Sequence, residues 1–235
     1  MTTVLPDTER EQLGDALRGV EGWLTEEESQ TLYGLARACS GRGAIVELGS
    51  WKGRSTVSLA LGSKAGAGAP VYAIDRPRGE IYADFERNIR RAGVEDLVRP
   101  INSSSEEAAA GFDGPIELLF IDASHEYELV ARDWELWVPR LVEGGVLAMH
   151  DTTWFEGPKR IAEERMYLSN RFKDVRFVFS STTVGRKVAA NSRADRARNL
   201  YALLVKRSFE LAARGRRLIP KPLESAGRRL LRIVQ

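Results

Sequence analysis

The two histidines of the chain, His125 and His150, each lie close in sequence to an aspartate. Asp122 precedes His125 by three residues, and Asp151 directly follows His150. Both aspartates come at the end of an apolar segment, and neighbouring carboxylates repel each other unless a cation lies between them. A hard divalent ion such as Mg²⁺ prefers oxygen ligands. The spacing therefore predicts that Asp122 and Asp151 hold a divalent cation.

The histidines themselves are candidates for proton transfer, because imidazole titrates near neutral pH. Two histidines are too few for a multi-histidine zinc site. His125 can reach the same cleft as Asp122, and we predict that it is the general base. For His150 three roles stay open, namely substrate contact, second base or metal ligand, and an imidazole is a poorer match for Mg²⁺ than a carboxylate.

A glycine-rich segment, Glu47-Leu-Gly-Ser-Trp-Lys-Gly-Arg-Ser-Thr56, comes between an apolar strand and a helix. It fits neither G-x-G-x-x-G nor G-x-x-x-x-G-K-[ST], the two common phosphate-binding patterns. Glu47 would repel a pyrophosphate but can accept hydrogen bonds from an ammonium group. Gly49 and Gly53 allow a close backbone approach to a ligand. Ser50, Ser55 and Thr56 complete the candidate binding loop, the last two at the helix N-terminus.

The elements that position these residues alternate between strand and helix. A capping-box pattern at Thr25 predicts a helix over 25–38, and further helices are predicted over 54–63, 81–92 and 105–110 and from about 130 to the glycine pair at 144–145. Near-continuous apolar strands separated by helices predict a parallel sheet covered on both faces. Its strands are expected at 44–48, 71–75, 97–101, 116–122 and 146–150.

The last two predicted strands, 175–180 and 183–188, are too close in sequence for a parallel crossover, so we expect an antiparallel hairpin. The fold class is therefore α/β, with a mostly parallel seven-stranded sheet that ends in this hairpin. In such sheets ligands bind at the carboxyl ends of the strands. Asp75, the last residue of the second strand, is placed there and can accept both hydroxyls of a ribose.

The loop after Glu47, the acid at Asp75, and the strings Phe120-Ile-Asp-Ala-Ser-His-Glu-Tyr-Glu128 and Met149-His-Asp-Thr152 resemble class I S-adenosylmethionine (SAM)-dependent methyltransferases. More narrowly, they resemble the small metal-dependent O-methyltransferases of the macrocin O-methyltransferase type, which methylate sugar hydroxyls. The resemblance covers about residues 25–188 and implies the Rossmann-like methyltransferase fold.

The resemblance also implies a role for each candidate residue. Asp75 would bind the ribose of SAM, and Asp122 would border the cofactor as well as hold the cation with Asp151. His125 would be the base, as in the sugar-modifying branch, whereas catechol-type relatives have a lysine there. The residues expected around the rest of SAM are Glu47, Gly49, Ser50 and Gly53 at the methionine moiety and Ser103 and Ser104 at the adenine.

The expected activity is methyl transfer from SAM to a hydroxyl of a sugar or of a glycosylated natural product or polysaccharide, with Mg²⁺ as the expected cation. A catechol-like acceptor is the main alternative, because both acceptor types offer a diol. An NAD(P)-dependent oxidoreductase is a weaker one, since residues 49–53 supply no pyrophosphate loop. A SAM-fold module without catalysis is the third, against which the intact Asp122, His125 and Asp151 argue.

Charge is distributed unevenly along the chain. Residues 189–235 contain twelve basic and three acidic residues, a net charge of +9, whereas residues 1–188 contain 23 basic and 30 acidic residues, a net charge of −7. We expect an N-terminal helical segment (1–40), a SAM-binding domain (41–190) and a basic helical extension (191–235).

The partners and location follow from these patterns. A basic amphipathic extension can contact an anionic membrane surface or a lipid-linked substrate, and it can also pack on the body or on a second copy in a homo-oligomer. Nucleic acid is not expected, because the body is acidic and no aromatic recognition pattern accompanies the basic residues. The N-terminus lacks a signal-peptide pattern and the chain lacks an apolar run of about 18 residues, so a cytoplasmic protein is predicted.

Overall fold

In the computed structural model, residues 5–76 and 79–214 are described, and they form one seven-stranded mixed sheet with helices around it. The strands are β1 (Ala44–Leu48), β2 (Val71–Asp75), β3 (Val98–Asn102), β4 (Ile116–Ile121), β5 (Leu141–Met149), β6 (Phe172–Val178) and β7 (Thr182–Lys187). The helices are α1 (Asp7–Leu17), α2 (Glu26–Arg37), α3 (Arg54–Ala65), α4 (Glu80–Ala92), α5 (Ser105–Gly111), α6 (Tyr127–Trp137), α7 (Glu156–Ala162) and α8 (Arg193–Arg214). A 3₁₀ turn (Val138–Arg140) follows α6, and a π-helical turn (Glu163–Tyr167) follows α7.

The strand order is β3-β2-β1-β4-β5-β7-β6, with every pair among the first five strands parallel and β7 antiparallel to both of its neighbours. The predicted α/β architecture with a terminal hairpin is confirmed. Every residue of β1 and β4 is buried, because helices cover both faces of the sheet at its centre. The order reverses between β1 and β4, so a crevice forms at the carboxyl ends of these two strands.

The region before β5 differs from the sequence prediction. The helix expected to reach the glycine pair ends at Trp137, and Gly144 and Gly145 lie inside β5, which begins at Leu141 and not at 146. The pairing with β4 jumps from Leu141 to Val146. Gly144, with φ +78°, permits this irregularity. A glycine pair therefore interrupted the register of a strand and did not end a helix.

Other differences concern boundaries and short elements. The hairpin strands begin and end earlier than predicted, because residues 179–181 form the turn. The sequence prediction gave an N-terminal helical segment over 1–40 without separate bounds for α1, and it contained neither α7 nor the π-helical turn after α7.

Two hydrophobic clusters hold the sheet, one on each face. The first contains Leu13 of α1 and Leu32 of α2 together with residues of β1 and α3, so the N-terminal helices share their core with the sheet. The second contains Leu203, through which α8 packs against the side of the sheet that holds β6. No helix in the described part of the chain is both long enough and apolar enough to cross a membrane.

Candidate functional site

A cavity of about 940 Å³ opens at the carboxyl ends of the central strands, within the size range of small-molecule sites. Three predicted site residues do not line it, namely Glu47, Gly53 and Thr56. The predicted residues that do line it are Gly49, Ser50, Ser55, Asp75, Ser103, Ser104, Asp122, His125, His150 and Asp151.

Gly49 sets how closely β1 approaches the end of β4. Its φ is +88°, and a Cβ atom built on it would lie 2.1 Å from the carbonyl oxygen of Asp122. No larger residue fits there without backbone movement, and an L-residue rarely adopts that φ. The close approach brings the glycine-rich loop beside Asp122.

Glu47 lies beneath this loop and not in the cavity wall. Its side chain is fully buried and accepts a hydrogen bond from the Thr56 hydroxyl. Burial, supported by the nearby charges of Asp122 and Asp75, raises the pKa of Glu47 to about 8. Its Oε1 atom has no hydrogen-bond partner. The predicted contact of Glu47 with the methionine moiety stays a prediction.

Asp75 lies at the rim of the cavity and is held by the backbone of the loop. One carboxylate oxygen accepts from the amide of Trp51 at 2.6 Å, and the other accepts from the amide of Arg76 at 2.6 Å. A carboxylate oxygen can accept more than one hydrogen bond. Asp75 is therefore oriented and still able to bind a diol.

The predicted cation ligands meet at the far end of the cavity. The donor atoms of Asp122, His150 and Asp151 all lie within 4.8 Å of one another. His150 Nδ1 is 3.1 Å from Asp122 Oδ1 and 3.5 Å from Asp151 Oδ1. The structure thus adds His150 to the two carboxylates that the sequence pattern proposed.

His150 is only 5% exposed, and its protonation is decided by the acids around it. Burial alone would lower the pKa of His150, but the hydrogen bond to Asp122 and the charges of Asp122, Asp151 and Glu28 raise it to about 9. Burial raises the pKa of Asp122. At neutral pH, therefore, an imidazolium balances these carboxylates when no metal is bound.

His125 is about half exposed and lies where it can meet a ligand. Its ring stacks on Phe155, with centroids 3.7 Å apart, and its Nε2 is 2.7 Å from Asp151 Oδ2. Asp151 has a φ of +58°, an uncommon backbone conformation for a residue other than glycine. This conformation lets Asp151 contact both histidines.

Glu28, which belongs to α2, is a site residue that sequence reasoning did not assign. One carboxylate oxygen accepts from the Thr25 amide at 2.9 Å, and the other accepts from the Ser181 amide and the Thr182 hydroxyl, each at 2.9 Å. The latter oxygen lies 3.6 Å from His150 Nε2. The capping-box pattern located Glu28, but nothing local indicates that it also faces His150.

A segment that we call the N-terminal strap, residues 18–25, forms another wall of the cavity through Gly22, Trp23 and Leu24. The Arg54 guanidinium holds it, donating to the carbonyl oxygens of Val20 at 2.8 Å and Leu24 at 3.3 Å. Trp23 also contacts Trp51, with ring centroids 4.6 Å apart. The sequence carried no signal for this wall, because its contacts join residues about thirty positions apart.

Four aromatic residues that are close in sequence to the candidate site residues divide into two groups. Trp51 and Trp154 line the cavity. Tyr82 and Tyr127 do not line the cavity. Tyr82 stacks on Phe85, and the Tyr127 hydroxyl donates to Glu164.

Comparison with known proteins agrees with this geometry. Residues 46–152 match the model of a methyltransferase domain family, from β1 to just beyond the paired His150 and Asp151. The matched region contains all the cavity residues that were predicted from the sequence. It does not include the N-terminal strap.

Solved structures show the same fold at low sequence identity. Methyltransferase PaMTH1 from Podospora anserina, bound to S-adenosylhomocysteine (SAH), is 15% identical, with 78% of this chain and 88% of that one covered and a TM-score of 0.61. An O-methyltransferase from Bacillus cereus, also bound to SAH, is 16% identical over 79% and 93% of the two chains, with a TM-score of 0.58. The O-methyltransferase TomG from Streptomyces achromogenes, involved in tomaymycin synthesis and bound to SAM, is 16% identical over 80% and 92%, with a TM-score of 0.58.

The chain therefore has the Rossmann-like methyltransferase fold, with a methyltransferase-domain match at its centre. At these identities the likeness to solved structures establishes the fold, and fold alone does not decide the acceptor.

Proposed function

We propose that the protein is a SAM-dependent O-methyltransferase that acts with a divalent cation on a hydroxyl of a sugar or glycosylated compound. The observation that carries the proposal is the meeting of His125, Asp122, His150 and Asp151 at one end of the cavity whose other walls contain Asp75 and the glycine-rich loop.

The cofactor half of the proposal is supported by the chemistry of the cavity wall. Asp75 is oriented to accept two hydroxyls, and Ser103 and Ser104 lie beyond it at the end of β3, where the adenine is expected. SAM brings an electrophilic methyl group on a sulfonium. The acidic surroundings suit that positive charge, since Asp122 and Asp151 line the same cavity.

The metal half of the proposal is supported by the donor set of Asp122, His150 and Asp151, which fits a divalent cation. Two carboxylates and one imidazole within 4.8 Å suit Mn²⁺, Fe²⁺, Co²⁺ or Zn²⁺ as well as Mg²⁺. A bound cation would lower the pKa of an acceptor hydroxyl and fix its position. Because His150 must lose its proton to become a ligand, metal binding at this site should release a proton and strengthen as pH rises.

His125 is the residue that would take the proton from the acceptor hydroxyl. Its stacking on Phe155 fixes the ring plane, and the 2.7 Å contact between its Nε2 and Asp151 Oδ2 holds the ring at the cavity wall. Holding the hydroxyl in line with the methyl group is the remaining requirement of the reaction.

The choice of a sugar acceptor is supported by the rim. Trp23, Trp51, Trp154 and Phe155 line the cavity and offer flat apolar faces to a ring that carries neighbouring hydroxyls. Trp23 is 77% exposed and Trp154 is 51% exposed, so these faces are accessible.

The binding half is tested by calorimetric titration with SAM, SAH and NAD. We expect SAM and SAH to bind and NAD not to bind. Binding of NAD alone would reject the proposal in favour of an oxidoreductase.

The catalytic half is tested by the release of SAH with a panel of glycosides and catechols, before and after metal removal with EDTA. Asp151→Asn should lose most activity, whereas Asp174→Asn should retain it. The control is matched because Asp174 also has a positive φ, +53°, and lies outside the cavity. Unchanged activity of Asp151→Asn together with Asp122→Asn would remove the cation from the proposal, and unchanged activity of His125→Ala would remove the base.

A further inference from the structure

The outer face of α8 is unusually apolar for a surface helix. Leu200, Tyr201, Leu204 and Leu211 are 49%, 55%, 54% and 71% exposed, although α8 already buries Leu203 on its inner side. Leu200, Leu204 and Leu211 recur at steps of four and seven residues, and Tyr201 lies three residues before Leu204, so the four side chains share one side of the helix. Among the residues that the structure describes, no other helix has so many exposed large apolar side chains.

The charges around this face have one sign. Arg193 and Arg196 are exposed on α8, and Arg207 is exposed as well but pairs with Glu163 at 2.6 Å. The two acidic residues of α8 are turned inward, since Glu210 is 5% exposed and pairs with Lys159 at 2.9 Å, and the Asp195 side chain is 17% exposed and pairs with Arg198. The sequence that continues from α8, residues 215–235, adds six basic residues and one acidic residue.

The mouth of the cavity lies beside the same helix. Trp154 and Phe155 line the cavity and are 51% and 41% exposed. The Trp154 ring meets Phe209 of α8 edge-on, with centroids 6.3 Å apart. The cavity entrance therefore lies next to α8, on the side of the helix that carries Phe209.

We propose that the outer face of α8 docks the protein on an anionic lipid bilayer, with the cavity mouth held at the headgroup level. Leucines flanked by arginines bind such a surface by burying the apolar side chains and pairing the charges with anionic headgroups. Aromatic side chains beside them suit the membrane interface. A second copy of the chain fits less well, because two faces flanked only by arginines would repel each other. This docking does not depend on the methyl transfer proposed above.

The test is sedimentation of the full-length protein with vesicles of phosphatidylcholine alone or with about one third phosphatidylglycerol. We expect binding only to the anionic vesicles, with loss at high salt, because salt screens the charge attraction. Leu204→Ser with Leu211→Ser should weaken the vesicle binding by at least about tenfold, since two apolar side chains no longer insert. Arg193→Gln with Arg196→Gln should weaken it by a similar factor.

The matched control is Leu129→Ser with Leu168→Ser, because these leucines are 49% and 58% exposed and lie outside α8. This control should bind vesicles as the unmodified protein does, and thermal melting should show that all variants fold. Equal sedimentation with both vesicle types would overturn the proposal, as would unchanged binding of the Leu204 and Leu211 variant. A dimer in solution that this variant dissociates would show that the face is a self-association surface, and would also overturn it.

Discussion

Replacing Arg54 should release the N-terminal strap from the cavity. The guanidinium donates at 2.8 Å to Val20 and at 3.3 Å to Leu24, and a third carbonyl, of Leu17, lies at 3.5 Å. Gly22 packs directly on the Arg54 side chain, because a Cβ atom there would lie 2.7 Å from Arg54 Cδ. Arg54→Met keeps the apolar stem and removes every donor.

The size of the effect follows from the two shorter hydrogen bonds. Hydrogen bonds to charged groups contribute about 1.5–3 kcal/mol each. Because Arg54 is only partly buried, we take the lower value for each, which gives about 3 kcal/mol for both. The free energy of opening the strap should fall by this amount, so amide exchange there should accelerate about 100-fold.

The assay is hydrogen–deuterium exchange read by mass spectrometry on peptides that cover residues 18–25. The matched control is Arg99→Met, because Arg99 also donates to two backbone carbonyls, at 2.8 and 3.1 Å, but does not line the cavity. Gly22→Ala disturbs the same contact from the other side and should also accelerate exchange. SAM binding should weaken in both strap variants, because only the closed fraction offers the complete wall.

Unchanged exchange of residues 18–25 in Arg54→Met, relative to Arg99→Met, would refute this reasoning. Weaker SAM binding with unchanged exchange would show that Arg54 acts by touching the cofactor, and the strap would then not depend on it.

Three further predictions concern Gly49, Glu47 and Cys39. Gly49→Ala should destabilise the protein by more than about 3 kcal/mol in urea titration, because a Cβ atom is incompatible with both the φ of Gly49 and the 2.1 Å distance to the Asp122 carbonyl oxygen. The control, Gly93→Ala, should cost only about 1 kcal/mol, because Gly93 has φ +63° but open space around it. Burial raises the pKa of Glu47 from its ordinary value of 4.5 to about 8, so as pH rises the unfolded chain loses this proton before the folded protein does. Between these two pKa values the free energy of unfolding should fall by up to about 1.4 kcal/mol per pH unit. Glu47→Gln should therefore gain stability over the unmodified protein as pH rises from about 5 to 8, and a constant difference would contradict the assignment. Burial raises the pKa of the Cys39 thiol to about 12, so iodoacetamide should label it slowly at pH 8 in the folded protein and fast in urea, and equal rates would show that the thiol is accessible.

The sequence by itself determined the features that repeat along the chain or depend on a few adjacent residues. Apolar runs separated by helices predicted the parallel strands, and the short gap after 180 predicted the hairpin, because a parallel crossover needs more chain. Strand ends predicted that His125, Asp122 and Asp151 lie at one edge, and they lie together in the structure. These inferences succeed because strand geometry fixes which residues reach the ligand edge.

Tertiary structure decided which side chains face one another across long sequence separations. Glu28 meets Ser181, which lies 153 positions later in the chain, and Arg54 meets strap carbonyls that lie about thirty positions earlier. Neither contact leaves a periodic or local pattern. Burial likewise decided that Glu47 lies beneath the loop and that the acids around His150 keep it protonated, since a pKa depends on all the neighbours that folding brings near and on the water that it removes.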